Sequence, residues 1–498
     1  MKGAVFMSKK REDVDLLLDI MNELSYYQSK EGLCATIQYG ERKNTVLVES
    51  SDFMDYIFLK YHEITKEYTD DIEIKKRLKL IRCMYREQYY DEHIFEKRYG
   101  YDSETIYINM ANDKLEHIEV DKEGFRIEPC KDDTPLFVRD SMQNPMVEPK
   151  ETASDNLLED LDCLINLSED DKFIYKIWLI ASMNPIINTP ILYLLGKAGN
   201  GKSFMQYVLN DLLDPSKRGL VNWDDASMKE ISIALDRSYV VNYDNVSKIK
   251  QQRSDLLCQS VTGGNSSYRK LYSDNEEISY NLRSRVTISS IENCIVRDDL
   301  AQRTLFLNVP VISRKSRINE TEIKEMYEER KAGILADMLN ILSMALSMYD
   351  EWKDNHQSYH RLASFEIFGS LIAYILEEDE GYERFKQIMR EKHMQQIFLD
   401  EQEALFMASM LTAVFEEGET SYKGSTKRLY DITVEWITDS PDCENPDIEI
   451  MNYDKFSKMI HRHKEDFLVL GYEVGFYRIT DRNIAGVKIK KLKDDNII

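Results

Sequence analysis

Gly196-Lys197-Ala198-Gly199-Asn200-Gly201-Lys202-Ser203 fits the pattern G-x-x-x-x-G-K-[ST] of a phosphate-binding loop. The chemistry needs these residue types. The backbone must curl closely enough around a triphosphate for several N–H groups to face its oxygens, and glycine permits that curl. Lys202 is placed to reach β- and γ-phosphate oxygens, and the Ser203 hydroxyl to complete the shell of a Mg²⁺ ion. The flanks agree. Ile191-Leu192-Tyr193-Leu194-Leu195 is a continuous apolar run of the kind a buried parallel strand has. Met205, Val208, Leu209, Leu212 and Leu213 then recur at helical spacing, so the loop opens a helix whose N-terminus faces the phosphates. The stretch predicts an α/β domain that binds ATP and Mg²⁺.

Downstream, Tyr239-Val240-Val241-Asn242-Tyr243-Asp244 reads as a second buried strand ending in a carboxylate. Asp244 is the candidate to position the metal opposite Ser203; a polar strand end at a turn is the plainer reading. Its neighbour Asn245 can orient a water but cannot take its proton, so the catalytic base is unassigned. A third strand candidate, Val286-Thr287-Ile288-Ser289, ends in groups that could sense the γ-phosphate, Ser289 ahead of Asn293. Arg303 follows at the entry to another apolar strand, Thr304 to Leu307. An arginine there can stabilise transition-state charge on a neighbouring subunit's nucleotide; the alternative is a surface ion pair.

The phosphate loop, Asp244-Asn245-Val246-Ser247, Thr262-Gly263-Gly264, Arg269-Lys270-Leu271-Tyr272-Ser273-Asp274 and Asp299-Leu300-Ala301-Gln302-Arg303 together resemble superfamily 3 helicases. More narrowly, they are similar to the primase-helicase-like ATP-binding proteins of bacteriophages and integrated mobile elements, most strongly over residues 190 to 312. The resemblance implies an AAA+ core, a homo-oligomeric ring (usually a hexamer), ATP hydrolysis at subunit boundaries and a DNA single strand threaded through the pore. It also implies a DNA-gripping β-hairpin, here within residues 266–285. This chain departs from the pattern, because the tip Ser273-Asp274-Asn275-Glu276-Glu277 is acidic and would repel a phosphate backbone. Any grip falls to Arg269, Lys270, Arg283 and Arg285.

Charge limits the partners. The 498 residues carry 65 Lys and Arg against 89 Asp and Glu, a formal net of -24, so a nucleic-acid contact must be local. The seven cysteines form no C-x-x-C pair, which supports neither a zinc ribbon nor a disulfide framework and suits a reducing cytosol. No apolar stretch is read as approaching 18 residues and Met1 to Ile20 carries charges, so a cytoplasmic protein without membrane attachment is expected.

Four regions follow. Residues 1–150 are an α+β domain and linker, with helices at Arg11–Ser29 and Asp70–Tyr90 and a meander at Thr105–Met110, His117–Val120 and Phe125–Glu128. The stretch Lys131–Ser154, with Pro135, Pro145 and Pro149, is the linker candidate. Residues 151–313 are the ATPase domain, entered by a helix at about Asp170 to Ser182; residues 314–425 are helical. Residues 426–498 are winged-helix-like, with a helix over Asn452–Leu470 and a hairpin of Val474–Thr480 with Ile484–Ile489. Residues 454–498 hold ten basic against seven acidic residues, and Lys458, Arg462 and Lys488 are the candidate duplex contacts. Docking of a protein is the alternative use. His461 and His463, two apart, cannot share a helix face as metal ligands.

The expected activity is that of a Mg²⁺-dependent ATPase and replicative DNA helicase of a phage or mobile element. Residues 1–150 lack a convincing metal-binding carboxylate cluster, so a separate primase would be needed. An AAA+ switch or scaffold, for instance in phage defence, and an origin-melting initiator are the alternatives.

Overall fold

The computed structural model describes residues 16–492 except 30–31, 41, 88–95, 103, 131–136, 138–141, 152–157, 270–276, 314–316, 359, 398–400, 416–418, 440–447 and 480–483. The chain begins with α1 (16–22), β1 (Ser25–Ser29), β2 (Gly32–Tyr39), β3 (Arg42–Leu47), α2 (Ser51–Thr65) and α3 (Asp71–Glu87). The three strands form one antiparallel sheet, and Leu17, Met21, Ile37, Phe53, Ile57, Ile74 and Ile81 form a core separate from the rest. The helix expected through Ser29 therefore stops early. Tyr26 pairs with Ala35 across the sheet and both are buried, so cross-strand burial overrides the helical stripe that ran to Leu24.

Next come β4 (Tyr99–Asp102), β5 (Thr105–Asn109), β6 (Glu116–Asp121) and β7 (Gly124–Pro129), an antiparallel meander in chain order. Alternation predicted its last three strands. Its apolar face packs into the largest core, where Ile106, Ile108 and Val120 join Ile191, Val208 and Leu305. Arg98, fully buried, fastens the junction: Nε donates to Asp214 Oδ1 at 3.0 Å. Asp214 Oδ2 in turn accepts the N–H groups of Tyr239 at 2.8 Å and Val240 at 3.1 Å. The expected linker, 131–154, lies mostly outside the described residues.

The central layer contains α4 (Glu159–Asp162), α5 (Glu169–Met183), β8 (Ile191–Leu195), α6 (Lys202–Leu213), β9 (Leu220–Asn222), α7 (Met228–Arg237), β10 (Val240–Asp244) and α8 (Gln251–Thr262). It continues through β11 (Asn265–Arg269), β12 (Glu277–Asn281), β13 (Arg285–Ser290), α9 (Asp298–Ala301) and β14 (Thr304–Asn308). Five strands pair in parallel in the order β14-β8-β13-β10-β9, while β11 and β12 form a separate antiparallel hairpin. The apolar runs that read as buried strands are β8 and β10, sealed on both faces as a parallel sheet requires.

Two long helices follow, α10 (Glu320–Asn355) and α11 (Ala363–Ile397). An 18-residue window of α10 is apolar and long enough to cross a membrane, contrary to the expectation that no stretch approaches that length. The window is 56% buried, and Ile334, Leu335, Met338, Leu339 and Leu342 pack in the same core as β8. α11 breaks at Glu377 and Glu378, the latter at φ 51°. Its two arms cross where a Cβ on Gly381 would stand 2.2 Å from the Ala373 carbonyl oxygen, a spacing only glycine allows. Lys392 on the second arm reaches Asp171 of α5 at 2.6 Å, and both are buried.

The last unit runs α12 (Glu401–Phe415), β15 (Ser421–Ser425), α13 (Thr426–Asp439), α14 (Tyr453–Arg462), α15 (Asp466–Val469), β16 (Tyr472–Ile479) and β17 (Ile484–Lys491). Its sheet has the order β15-β17-β16, around a core that includes Phe406, Leu429, Phe456, Phe467 and Val487. The single helix expected over Asn452–Leu470 is two. α14 starts at the Asn452 cap and ends at His463, whose Nδ1 lies 2.9 Å from Asp466 Oδ2. The chain then re-enters helix for one turn before Gly471 at φ 83°.

Candidate nucleotide site

The phosphate loop leaves β8 at the carboxyl end of the sheet, where ligands of open α/β sheets bind. Gly196 passes so close to β14 that a Cβ there would meet the Val309 carbonyl oxygen at 2.6 Å, and Gly201 takes φ 88° as the residue before α6. Both permit the curl that points backbone N–H groups inward. Lys202 Nζ donates to the carbonyls of Gly196 at 2.5 Å and Lys197 at 2.9 Å. Burial lowers its pKa below the ordinary lysine value, and the nearby Asp244 works against that. Phosphate oxygens would compete for the same ammonium.

β13 lies between β8 and β10, so its end joins the loop to the strand carrying the carboxylate. Ser203 Oγ donates to Asp244 Oδ2 at 3.1 Å, and Ser289 Oγ donates to Asp244 Oδ1. Asn245, at φ 52°, turns the chain; its backbone N–H donates to Ser289 Oγ at 3.1 Å and its Nδ2 to Asp244 Oδ2 at 3.2 Å. The carboxamide oxygen is then the group that can orient a water. Behind these residues, Gln206 Nε2 donates to Thr287 Oγ1 at 2.8 Å, Thr287 to Asn242 Oδ1 at 2.7 Å and Asn242 Nδ2 to Asn210 Oδ1 at 2.9 Å. This buried chain ties α6, β13 and β10 into one unit. Asn293 is elsewhere engaged, its Oδ1 accepting the Ile295 N–H at 3.0 Å.

Ala198 and Gly199 complete the loop, and Asn200 is held beneath it: its carbonyl accepts from Asn166 Nδ2 at 3.1 Å. One group was missed from sequence. Arg317 Nη2 lies 3.2 Å from where a Cβ on Gly199 would be, beside the loop yet exposed. No local pattern marks it, because it sits far down the chain just before α10.

Arg303 is folded into its own chain. Its Nη1 donates to Asp299 O at 2.8 Å and Oδ1 at 2.5 Å, and the residue is only 9% exposed. Arg361 Nη2 shares Asp299 Oδ1 at 2.7 Å.

The expected hairpin is present, with Arg269 in register with Glu277. Lys270 and most of the acidic tip lie outside the described residues. Two other candidate grips are withdrawn into the fold. Arg285 is buried over the Tyr239 ring with Nη2 on Asn184 O at 2.7 Å. Arg283 Nη2 is bound to Ile186 O at 3.0 Å and Asn188 Oδ1 at 3.1 Å. Arg285 is thereby out of a phosphate's reach, whereas Arg283 is half-buried and engaged with its own chain. Lys458, Arg462 and Lys488 are exposed. Lys488 pairs across the sheet with Lys423, and Lys490 with Ser421, so Lys423, Lys488 and Lys490 share one exposed face. Lys423 lies upstream of the basic stretch 454–498, and nothing in its own neighbourhood marks it.

Residues 158–365, which include the loop, Asp244, Ser289 and Arg303, match the family model described as "Actinomycete integrative conjugative element replication protein". No curated protein matches the chain. Among solved structures, "The A form apo structure of NrS-1 C terminal region-CTR" aligns over 96% of this chain and 98% of that chain at 12% identity and a TM-score of 0.39. "SCCmec type IV Cch - active helicase" aligns over 94% and 93% at 12% identity and a TM-score of 0.41. The segment that assembles the candidate site is thus similar to a replication-protein family of integrative conjugative elements.

Proposed function

We propose that the protein is a Mg²⁺-dependent ATPase that acts on DNA during replication of a mobile element, as a ring-forming helicase of the superfamily 3 type. The observation that carries this is the convergence of Ser203 and Ser289 on Asp244 at the mouth of the phosphate loop. Ser203 and Asp244 would share the Mg²⁺, directly and through its waters, and Lys202 would neutralise the β- and γ-phosphates. Ser289 fixes the Asp244 carboxylate and Asn245 orients the attacking water. Arg317 supplies a second positive charge beside the loop. The AAA+ reading is supported by the insertion of β13 between β8 and β10, and the replication reading by the family match over residues 158–365.

In a hexamer, Arg303 would serve the adjoining subunit's nucleotide once Asp299 releases it, and one DNA strand would pass the β11–β12 hairpin in the pore. The order α12-β15-α13-α14-β16-β17 supports a winged helix, with Lys458 and Arg462 on α14 and Lys423, Lys488 and Lys490 on its sheet face as duplex contacts. A strand-displacement assay on forked DNA with ATP and Mg²⁺ tests the reading. Unwinding by the wild type and none by Lys202→Ala is expected. Robust ATP hydrolysis without unwinding would instead favour a nucleotide-driven scaffold, the reading that the net charge of -24 suits.

A further inference from the structure

We propose that His360, Glu366 and His393 form a binding site for a transition-metal dication of the Zn²⁺ class, built into the helical region and separate from the nucleotide site. Glu366 stands on the first turn of α11 and His393 on its second arm, so the break at Glu377 and Glu378 is what brings them together. His360 enters from the loop before α11. One potential ligand atom from each residue lies within 4.8 Å of the others. His360 Nδ1 is 3.2 Å and His393 Nε2 2.7 Å from the same oxygen, Glu366 Oε1. The two imidazoles stack with centroids 3.9 Å apart and planes 17° from parallel.

The surrounding hydrogen bonds leave the ligand atoms free to coordinate. Gln396 Nε2 donates to Thr304 O at 2.8 Å, which leaves Gln396 Oε1 as an acceptor 3.1 Å from His360 Nε2. The proton of His360 therefore belongs on Nε2, and Nδ1 keeps its lone pair, which faces Glu366 Oε1 at 3.2 Å and has the Leu362 N–H at 3.5 Å as its one long donor. Ser358 Oγ donates to Glu366 Oε2 at 2.6 Å, orienting the carboxylate with Oε1 toward the histidines. Glu366 Oε1 and His393 Nε2 are both buried and make no aligned hydrogen bond, and His393 is 6% exposed. Native proteins seldom leave buried polar atoms without an aligned partner.

Two imidazoles and one carboxylate are the donor set of Zn²⁺ rather than of Mg²⁺ or Ca²⁺, which take all-oxygen shells. With bonds of about 2.0–2.1 Å, neighbouring ligands of a tetrahedral ion stand about 3.3 Å apart. The His360–Glu366 separation already fits; that of His393 and Glu366 needs to open by about half an ångström. Water or the second carboxylate oxygen completes the shell. Gln396 acts as the outer partner that fixes a ligating histidine. Through Gln396 on Thr304, and through Arg361 on Asp299, the ion would lock the second arm of α11 and the loop before α11 to the segment that holds Arg303.

The test uses the untagged full-length chain, stripped with chelator and titrated with Zn²⁺ and with Co²⁺. One equivalent per chain is expected, with the intense visible bands of tetrahedral Co²⁺ displaced by Zn²⁺, and a Zn²⁺-dependent rise in Tm. His360→Ala should abolish the bands and the Tm rise, Gln396→Ala should weaken affinity about 10- to 100-fold, and Ser203→Ala should leave both untouched. Should His360→Ala fail to fold by circular dichroism, the wild-type Co²⁺ spectrum and the Gln396→Ala affinity decide. Absence of stoichiometric binding by the wild type, or undiminished binding by folded His360→Ala, would reduce the cluster to a buried histidine–carboxylate ion pair and overturn the proposal.

Discussion

Ser203 Oγ and Asp244 Oδ2 stand 3.1 Å apart although 41 residues separate them in the chain. Ser289 holds the other carboxylate oxygen of Asp244, so one acidic group receives a hydroxyl from the loop and another from the central strand. Under the proposed function, this pair of hydroxyls would orient the carboxylate toward a metal beside the triphosphate.

Asp244→Asn should keep the fold and nucleotide affinity but lower kcat for ATP by about 10²- to 10³-fold, the scale of losing one preorganised electrostatic group. Ser289→Ala removes the positioning hydroxyl alone and should raise the Mg²⁺ concentration needed for half-maximal activity, about 10-fold or more. Steady-state ATPase rates across a Mg²⁺ series check both. An unchanged Mg²⁺ requirement in Ser289→Ala would show that Asp244 is held by other means.

Arg303 is held by Asp299 in its own chain, which sets up a test of its role between subunits. Arg303→Ala should reduce ATP turnover by about 10³-fold or more while nucleotide binding persists. Mixing it with Lys202→Ala subunits should restore part of the turnover, because each mutant lacks a different half of a shared site. No recovery, with both proteins assembled, would place the action of Arg303 within its own subunit.

Arg98 and Asp214 pair at 3.0 Å with side-chain exposures of 0% and 3%. Asp214→Ala leaves a buried guanidinium unpaired and orphans the N–H groups of Tyr239 and Val240, so a loss of about 3–5 kcal/mol is expected. Urea unfolding measures it. A change under about 1 kcal/mol, the value of an exposed pair, would mean that water reaches the junction.

Lys423, Lys488 and Lys490 share an exposed sheet face. Replacing all three by Gln should weaken duplex binding and lower the slope of log K against log salt by about 2–3, since each phosphate left without its lysine takes about one unit from the slope. Basal ATP hydrolysis should stay unchanged. Fluorescence anisotropy over a salt series separates this from a protein-docking face, for which the slope would not move.

The loop, its flanking strand and its helix were legible because local chemistry dictates them. Gly196 and Gly201 meet backbone demands that few other residues satisfy, and Met205, Val208, Leu209, Leu212 and Leu213, spaced for one face, are all buried in α6. Asp244 and Ser289 were legible as strand ends for the same reason. Their meeting was not, since it depends on β13 entering the sheet between β8 and β10, and sheet order is set by long-range packing that no window of sequence contains. Arg285 read as a surface cation and is buried, because the end of α5 presents the Ser182 and Asn184 carbonyls to it. Ser25–Ser29 read as helix and is strand, because β2 supplied a partner. The His360–Glu366–His393 cluster exists only through the break in α11, which brings His393 back onto the oxygen of Glu366, 27 positions earlier, that His360 also meets. Local sequence thus determined which groups this protein carries and the elements that present them; tertiary packing decided which of those groups touch, because proximity in a sheet or across a bent helix is stabilised by burial far from the residues that meet.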